Sequence, residues 1–83
     1  MMKLFIFPYL KMVKLNEDKK KKIMNELITY DMLKTSLKFT NVPFNDIWDE
    51  YNNNYIISFW GVNDTFVFFF YEDGTLKSID NYD

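Results

Sequence analysis

Three apolar stretches in the C-terminal part of the chain are separated by two short polar dipeptides. The stretches cover residues 55–62, 65–72 and 75–80, and the dipeptides are Asn63-Asp64 and Asp73-Gly74. Asp-Gly between apolar runs is typical of a two-residue hairpin turn of type I′, in which both central residues have positive φ. The pattern predicts a three-strand antiparallel meander.

Two-residue turns also fix which side chains share a face, because successive residues of a strand point to opposite sides of the sheet. The predicted opposing pairs include Trp60 with Val67, Ser58 with Phe69, and Tyr71 with Leu76. One face is then almost wholly apolar and forms the predicted core: Ile57, Phe59, Phe66, Phe68, Phe70 and Ile79. The other face is mixed and carries Ile56, Ser58, Trp60, Val67, Phe69, Tyr71, Leu76, Ser78 and Asp80.

The first half of the chain predicts one strand and two helices. Residues 3–9 read as a strand at a sheet edge, because Pro8 cannot donate a hydrogen bond to a neighbouring strand. A helix is expected from about residue 17 to the low or middle thirties, capped by Asn16. A short helix is expected over 44–51, where apolar residues recur at i, i+3, i+4 and i+7.

These elements predict a single α+β domain over residues 1–83, a two-layer sandwich of order β-α-(short α)-β-β-β. A four-strand sheet is roughly 15–20 Å wide, and one helix covers about 10 Å of it. Both helices are therefore needed on one face, which leaves the mixed face uncovered. Four possibilities for its cover stay open: the short helix, the N-terminal strand, a second copy of the chain, or a foreign partner.

The composition excludes several kinds of chemistry. The chain contains no Cys, His, Arg, Ala or Gln, so disulfides, thiolate metal ligands and histidine catalysis are absent. Asp46, Asp49 and Glu50 fall together on the predicted short helix, where we expect a solvated acidic surface and not a metal site. Two glycines are too few for a phosphate-binding loop. We expect a protein that is not an enzyme and that holds no cofactor or metal.

Charge is divided unevenly along the chain. Residues 1–38 hold nine lysines and four acidic residues, a net charge of +5, whereas residues 39–83 hold one lysine and eight acidic residues, a net charge of −7. The four consecutive lysines at 19–22 point all around a helix, and bidentate base recognition by Arg is unavailable. Nucleic acid is therefore not the expected partner, and the charge division favours steering of a protein partner.

The use of Lys, Asn, Ile, Phe and Tyr is typical of a very AT-rich genome, such as a low-GC bacterium, its phage or another mobile element. A small, Cys-free chain of this composition resembles, in type alone, phage-encoded inhibitors of host defence, anti-CRISPR proteins included. It resembles equally the small immunity proteins that neutralise toxins. No motif supports the transfer of a residue role from either group.

We therefore expect a non-enzymatic macromolecule-binding protein, foremost a phage or mobile-element inhibitor of a host protein. The candidate partner-binding residues are Ile56, Trp60, Val67, Phe69, Tyr71 and Leu76, with an acidic rim of Asp64, Glu72, Asp73 and Asp80. One alternative is a homodimeric structural or regulatory protein that uses this face as its interface. Another is an immunity protein or a weak single-strand nucleic-acid binder. No signal peptide or membrane span is predicted, so we expect a cytoplasmic location, in the host cytoplasm if the chain is phage-encoded.

Overall fold

The computed structural model describes residues 16–26, 28–61 and 64–82. Within these residues two helices, α1 (Glu17–Met24) and α2 (Tyr30–Phe39), precede four strands: β1 (Phe44–Asp49), β2 (Asn54–Trp60), β3 (Thr65–Phe70) and β4 (Leu76–Tyr82). The strands pair antiparallel in the order β1-β2-β3-β4. The predicted α+β class is confirmed, with a four-strand meander as its sheet. The predicted strand at residues 3–9 lies outside the described residues.

The core lies between the helices and one face of the sheet. Its buried members are Ile23, Ile28, Leu33, Leu37, Val42, Ile57, Phe59, Phe66, Phe68, Phe70 and Ile79. All six residues predicted for the core face are among them. Because the chain has no Ala to fill space, large rings pack on one another, and the Phe68 centroid lies 5.8 Å from Phe59 and 6.3 Å from Phe70.

The helical region consists of two helices, whereas the sequence predicted one. Thr29 interrupts it: its side chain accepts a hydrogen bond from the Met32 backbone N–H at 3.3 Å and so caps a second helix. Thr29 also forms a β-bridge with Thr75, and the Tyr30 N–H donates to the Gly74 carbonyl at 2.8 Å. These bonds hold the start of α2 against the turn between β3 and β4. Neither described helix has the length and apolar character needed to cross a membrane.

Helix α2 ends in a Schellman motif that the sequence reading missed. Asn41 has φ of 59°, and its N–H donates to the Lys38 carbonyl at 3.2 Å. The Val42 N–H donates to the Leu37 carbonyl at 2.9 Å, and both of these side chains are buried. Such a motif closes the last turn of a helix and adds an apolar contact beyond it. It turns the chain from α2 into the first strand.

The predicted short helix over 44–51 is wrong, because residues Phe44–Asp49 form strand β1. The apolar positions fit one face of a helix, but a turn at residues 50–53 folds the chain back onto β2. Asp49 Oδ1 accepts the Tyr51 N–H at 3.0 Å, and Asn53 takes φ of 54°. Asp and Asn form such turns readily and are weak helix formers. The local turn chemistry therefore outweighs the helical spacing.

The β2–β3 hairpin is shifted by two residues relative to the predicted register. Trp60 lies opposite Thr65 and Ser58 lies opposite Val67, and the Gly61 N–H donates to the Asp64 carbonyl at 2.7 Å. The predicted pairs Trp60–Val67 and Ser58–Phe69 are therefore wrong. A shift of two residues preserves the side-chain alternation, so each residue of this hairpin keeps its predicted face.

The β3–β4 hairpin contains a bulge that changes the face of one residue. Phe69 opposes Ser78 as predicted, but Phe70 opposes Leu76, with a register irregularity between Phe69 and Phe70. The turn is not type I′, since Asp73 is not among the described residues with positive φ, and Gly74 has φ of 93°. It is a three-residue loop, closed by the Tyr71 N–H donating to the Thr75 carbonyl at 2.8 Å, with Gly74 in the left-handed region. This loop places Leu76 opposite Phe70, and one extra residue of β4, Lys77, restores the predicted register at Phe69. Leu76 is consequently partly buried against the core, on the face opposite to the predicted one.

Candidate binding surface

The open face is the side of the sheet that faces away from α1 and α2. Alternation from the buried residues places the following side chains on it: Asn45, Ile47 and Asp49 from β1; Asn54, Ile56, Ser58 and Trp60 from β2; Thr65, Val67 and Phe69 from β3; and Ser78, Asp80 and Tyr82 from β4. Tyr71, directly after β3, continues this face. The described helices pack against the other side of the sheet, and several large apolar side chains of the open face, Ile47, Trp60 and Tyr82 among them, are exposed.

The aromatic end of the open face is the row Trp60–Thr65–Tyr82. Trp60 opposes Thr65, and Thr65 opposes Tyr82, so the three side chains lie side by side across β2, β3 and β4. Trp60 is 78% exposed and Tyr82 is 56% exposed. Trp and Tyr combine a large apolar ring with one polar group, which is why they dominate the energetics of protein interfaces.

A pocket of about 400 Å³ adjoins the aromatic end. It exists because β1 starts at Phe44, opposite Phe59, so no residue of this strand pairs with Trp60. The walls mix apolar and uncharged polar groups and comprise Val42, Pro43, Phe44, Asn45, Ser58, Phe59, Trp60 and Thr65. A recess of this size beside an exposed Trp has room for a side chain contributed from outside.

The middle of the open face combines one apolar row with one mixed row. Ile47, Ile56 and Phe69 form one row across three strands, and Ile47 is 54% exposed. The neighbouring row consists of Asn45, Ser58, Val67 and Asp80. An apolar row bordered by polar side chains is typical of protein interfaces, in which an apolar centre is surrounded by a polar rim.

The acidic end of the open face lies where the β1–β2 and β3–β4 turns meet the sheet. Glu50 and Glu72 are exposed in these turns, and Asp49 and Asp73 flank them. The Asn52 side chain donates to Asp49 at 2.9 Å, and this bond, with backbone donors and the more distant Lys77 charge, lowers the pKa of the Asp49 carboxyl.

Asp73 carries its charge for a similar reason. Its Oδ1 accepts the Thr75 backbone N–H at 3.0 Å and the Thr75 hydroxyl at 2.8 Å, and these bonds lower the pKa of the Asp73 carboxyl. Donors that stabilise a carboxylate favour its ionised form. Both carboxylates that border the acidic end therefore remain charged at neutral pH.

Lys77 spans the acidic end from the β4 side. Its Nζ lies 5.9 Å from the centroid of the Tyr71 ring. In the amide orientation that gives both ends of the group a partner, the Asn54 oxygen accepts from Lys77 Nζ at 3.3 Å. A cation is thus already seated over an aromatic ring at this end of the face.

The structure divides the ten predicted partner-binding residues into three sets. On the open face are Ile56, Trp60, Val67, Phe69, Tyr71 and Asp80, and in the β3–β4 turn are Glu72 and Asp73. Two placements were wrong. Leu76 packs against the core because of the bulge, and Asp64 is only 6% exposed, with its Oδ2 accepting from Asn81 at 3.1 Å.

Six residues of the open face were absent from the predicted mixed face: Asn45, Ile47, Asp49, Asn54, Thr65 and Tyr82. Ile47 was assigned to the buried stripe of a helix that does not form, and Tyr82 lay beyond the predicted end of the last strand at residue 80. Lys77 reaches the face because the bulge lies beside it. Three of the six had a usable signal, since Asn54, Thr65 and Tyr82 continue the alternation of their own strands.

A second polar cluster, on the helix side, joins α2 to β1. The Tyr30 hydroxyl donates to Asp46 Oδ2 at 2.6 Å, and Lys34 Nζ lies 3.1 Å from the same oxygen. The Tyr30 ring stacks on Tyr55 with a centroid separation of 4.3 Å. Burial, followed by the bond to Asp46, raises the pKa of the Tyr30 hydroxyl, and the bond to Asp46 raises the pKa of the Lys34 ammonium. Asp46 is thereby separated from Asp49, with which the sequence reading had grouped it.

Comparison with known proteins gives no relative: no family model, curated protein or solved structure matches the chain.

Proposed function

We propose that this protein is a non-enzymatic binding protein that docks another protein on its open face. The observation that carries the proposal is the 78% exposure of Trp60, in a row with Tyr82 and beside a pocket of about 400 Å³. An exposed Trp next to a recess, on a face that also carries an apolar row, is the arrangement of an interface hot spot. Exposure of so large an apolar ring to water is unfavourable for the isolated monomer.

The non-enzymatic part of the proposal is supported by composition. The sequence has no His, Cys or Arg, and the open face offers ring, aliphatic, hydroxyl and amide groups with few ionisable ones. Such groups provide contact area and hydrogen bonds, which serve recognition. The AT-rich residue usage supports a phage or mobile-element origin, and we place the partner in the host of such an element.

A matched pair of variants tests the surface. Trp60 is 78% exposed on the open face, and Phe39 is 77% exposed at the end of α2, so aspartate at either position removes an equally exposed ring. The wild-type chain is used to capture proteins from a lysate of a low-GC bacterium, and each captured protein is then purified and titrated calorimetrically.

We expect Trp60→Asp to weaken binding by at least about 30-fold, the effect of losing a hot-spot residue, and Phe39→Asp to leave the dissociation constant within about twofold. Equal loss in both variants, or none in Trp60→Asp, would place the binding site elsewhere. A concentration-independent dimer by light scattering that Trp60→Asp dissociates would assign the face to self-association.

A further inference from the structure

Opposite charges lie on the two layers of the molecule. Residues 43–82, which contain the sheet, carry seven acidic residues and only Lys77, a net charge of −6. Of the seven, Asp46 pairs with Lys34 on the helix side and Asp64 is buried, and the other five lie on the open face or in the turns beside it. Residues 16–42, which contain both helices, carry six lysines and four acidic residues, a net charge of +2. A partner that approaches the open face therefore meets a negative potential, which attracts cations and repels anions.

The open face itself is divided into two ends. Trp60 and its pocket lie at one end, and Asn54, six residues earlier on the same strand, lies at the other, about 20 Å away at the rise of an antiparallel strand. Glu50 and Glu72 border the second end and are exposed. An apolar anchor and a cation site are thus held at a fixed separation by one rigid strand.

Tyr71 shows that this end accepts a cation. The single lysine of the sheet lies over its ring, and the residue is still 49% exposed. Guanidinium groups bind aromatic faces and carboxylates together, and Arg is enriched at interface centres. The acidic end therefore offers two kinds of contact that an arginine side chain satisfies at once.

A second copy of the chain fits this face poorly. A twofold dimer places the same patch on both sides of the interface, so the acidic groups around the sheet would lie in the combined field of two negative layers. Nucleic acid is disfavoured for the same reason, since its phosphates would approach Glu50, Glu72 and Asp80. Charge complementarity selects a basic protein surface.

Building on the proposed function, we propose that the partner presents a lysine- or arginine-rich surface to the acidic end and inserts one apolar side chain at the aromatic end, about 20 Å away. The partner class is a basic protein, of the kind whose surface binds polyanions. The sheet would then occupy the same positive surface that the partner uses for its polyanion.

The test titrates the ¹⁵N-labelled chain with a synthetic peptide that has one tryptophan, a six-residue glycine-serine spacer and four arginines. We expect amide shifts at Trp60 and at Tyr71 on the open face, and weaker binding when salt is raised. The same peptide with glycine in place of tryptophan should lose the shifts near Trp60 and keep those near Tyr71. Shifts confined to α1 and α2 would overturn the proposal.

Charge variants measure how much the acidic end contributes to the affinity for the peptide. The double variant Glu50→Gln/Glu72→Gln removes two exposed carboxylates of the acidic end, and Asp18→Asn/Asp31→Asn removes two exposed ones from the helices. We expect the first pair to weaken the peptide by about fivefold and the second by less than twofold. Equal effects, binding of a dodecathymidylate strand to the open face, or a stable dimer would each overturn the basic-partner assignment.

Failure of the basic-partner assignment can be distinguished from failure of the docking proposal. If a purified partner requires Trp60 but is indifferent to Glu50→Gln/Glu72→Gln and to salt, the open face remains the binding site and only its partner chemistry is wrong. If Trp60→Asp has no effect on that partner, the docking proposal itself fails.

Discussion

Tyr30 connects three parts of the fold through one side chain and one backbone group. Its hydroxyl bonds to Asp46 of β1, its ring stacks on Tyr55 of β2, and its N–H donates to Gly74 in the turn before β4. Few residues of a small domain bridge so many elements. We therefore expect the alkaline pH dependence of stability to be concentrated at this residue and its neighbour Lys34.

The alkaline limit of stability follows from the raised pKa values of Tyr30 and Lys34. A group whose pKa is higher in the folded state keeps its proton longer there, so its contribution is complete below the unfolded pKa and is lost as pH rises through the folded one. The window begins near pH 10, the ordinary value for both groups.

Tyr30→Phe tests this dependence. At pH 7 the variant should be less stable by about 1 kcal/mol, the contribution of one hydrogen bond. Urea unfolding at pH 7, 9 and 11 should show the difference between wild type and variant shrinking above about pH 10. Tyr51→Phe is the control, since that side chain is 98% exposed. A difference that stays constant up to pH 11 would contradict the role assigned to the Tyr30 hydroxyl.

Single residues could be predicted from the sequence where alternation was unbroken. The predicted faces agree with the observed ones for Phe66, Phe68 and Phe70 in the core and for Trp60 on the open face. They agree because a register shift of two residues preserves the period-two alternation of side chains. Leu76 could not be predicted, since a one-residue bulge reverses its face. The sequence carries no signal for that bulge beyond Gly74, which fits both a type I′ turn and a bulged loop.

At the scale of elements, the turn at residues 50–53 decides between helix and strand for β1. Asn53 occupies the left-handed region, with φ of 54°, which a β-branched residue adopts only at a cost of about 1–2 kcal/mol. Glycine adopts this conformation without steric strain.

We predict that Asn53→Val destabilises the fold by about 1 kcal/mol or more and that Asn53→Gly is close to neutral. Asn45→Val is the matched control, because Asn45 is an exposed asparagine within β1, where valine suits an extended backbone. Urea unfolding monitored by circular dichroism measures all three. Equal destabilisation by valine at both positions would mean that the turn does not hold β1 in place.

Elements were predictable where a local signal and a long-range pairing agreed. Strands β2, β3 and β4 were found because apolar runs and turn residues coincide. Strand β1 was missed because four of its six residues are exposed, so it shows no buried stripe with strand periodicity. The break before α2 was missed because it also depends on the β-bridge between Thr29 and the distant Thr75, a pairing that local sequence does not reveal.

At the scale of the whole molecule, the two faces of the sheet have separate roles. Phe68 is fully buried on the helix side, whereas Trp60 stands out on the open face. The first face holds the layers together, whereas the exposed ring of Trp60 on the second is expected to contribute little to folding. A substitution on one face should therefore leave the property of the other face nearly unchanged.

We predict that Phe68→Ala lowers the free energy of unfolding by about 3–5 kcal/mol. Trp60→Asp should lower it by no more than about 1 kcal/mol, the range of strand propensities at exposed sites. Both values come from urea unfolding at pH 7. A loss at Trp60 comparable to that at Phe68 would show that the open face is part of the folding core.

Because the two tryptophans lie on opposite sides of the sheet, their intrinsic fluorescence can follow two different processes. Trp48 lies on the helix side of β1 with its ring 4.8 Å from Tyr55, and Trp60 projects from the opposite side of the sheet. Emission from Trp48 therefore follows the packing of β1 beside Tyr55, which itself stacks on Tyr30 of α2, and emission from Trp60 follows events at the outer surface. With phenylalanine at one position, the remaining indole gives a fluorescence signal specific to either folding or complex formation, without an added dye.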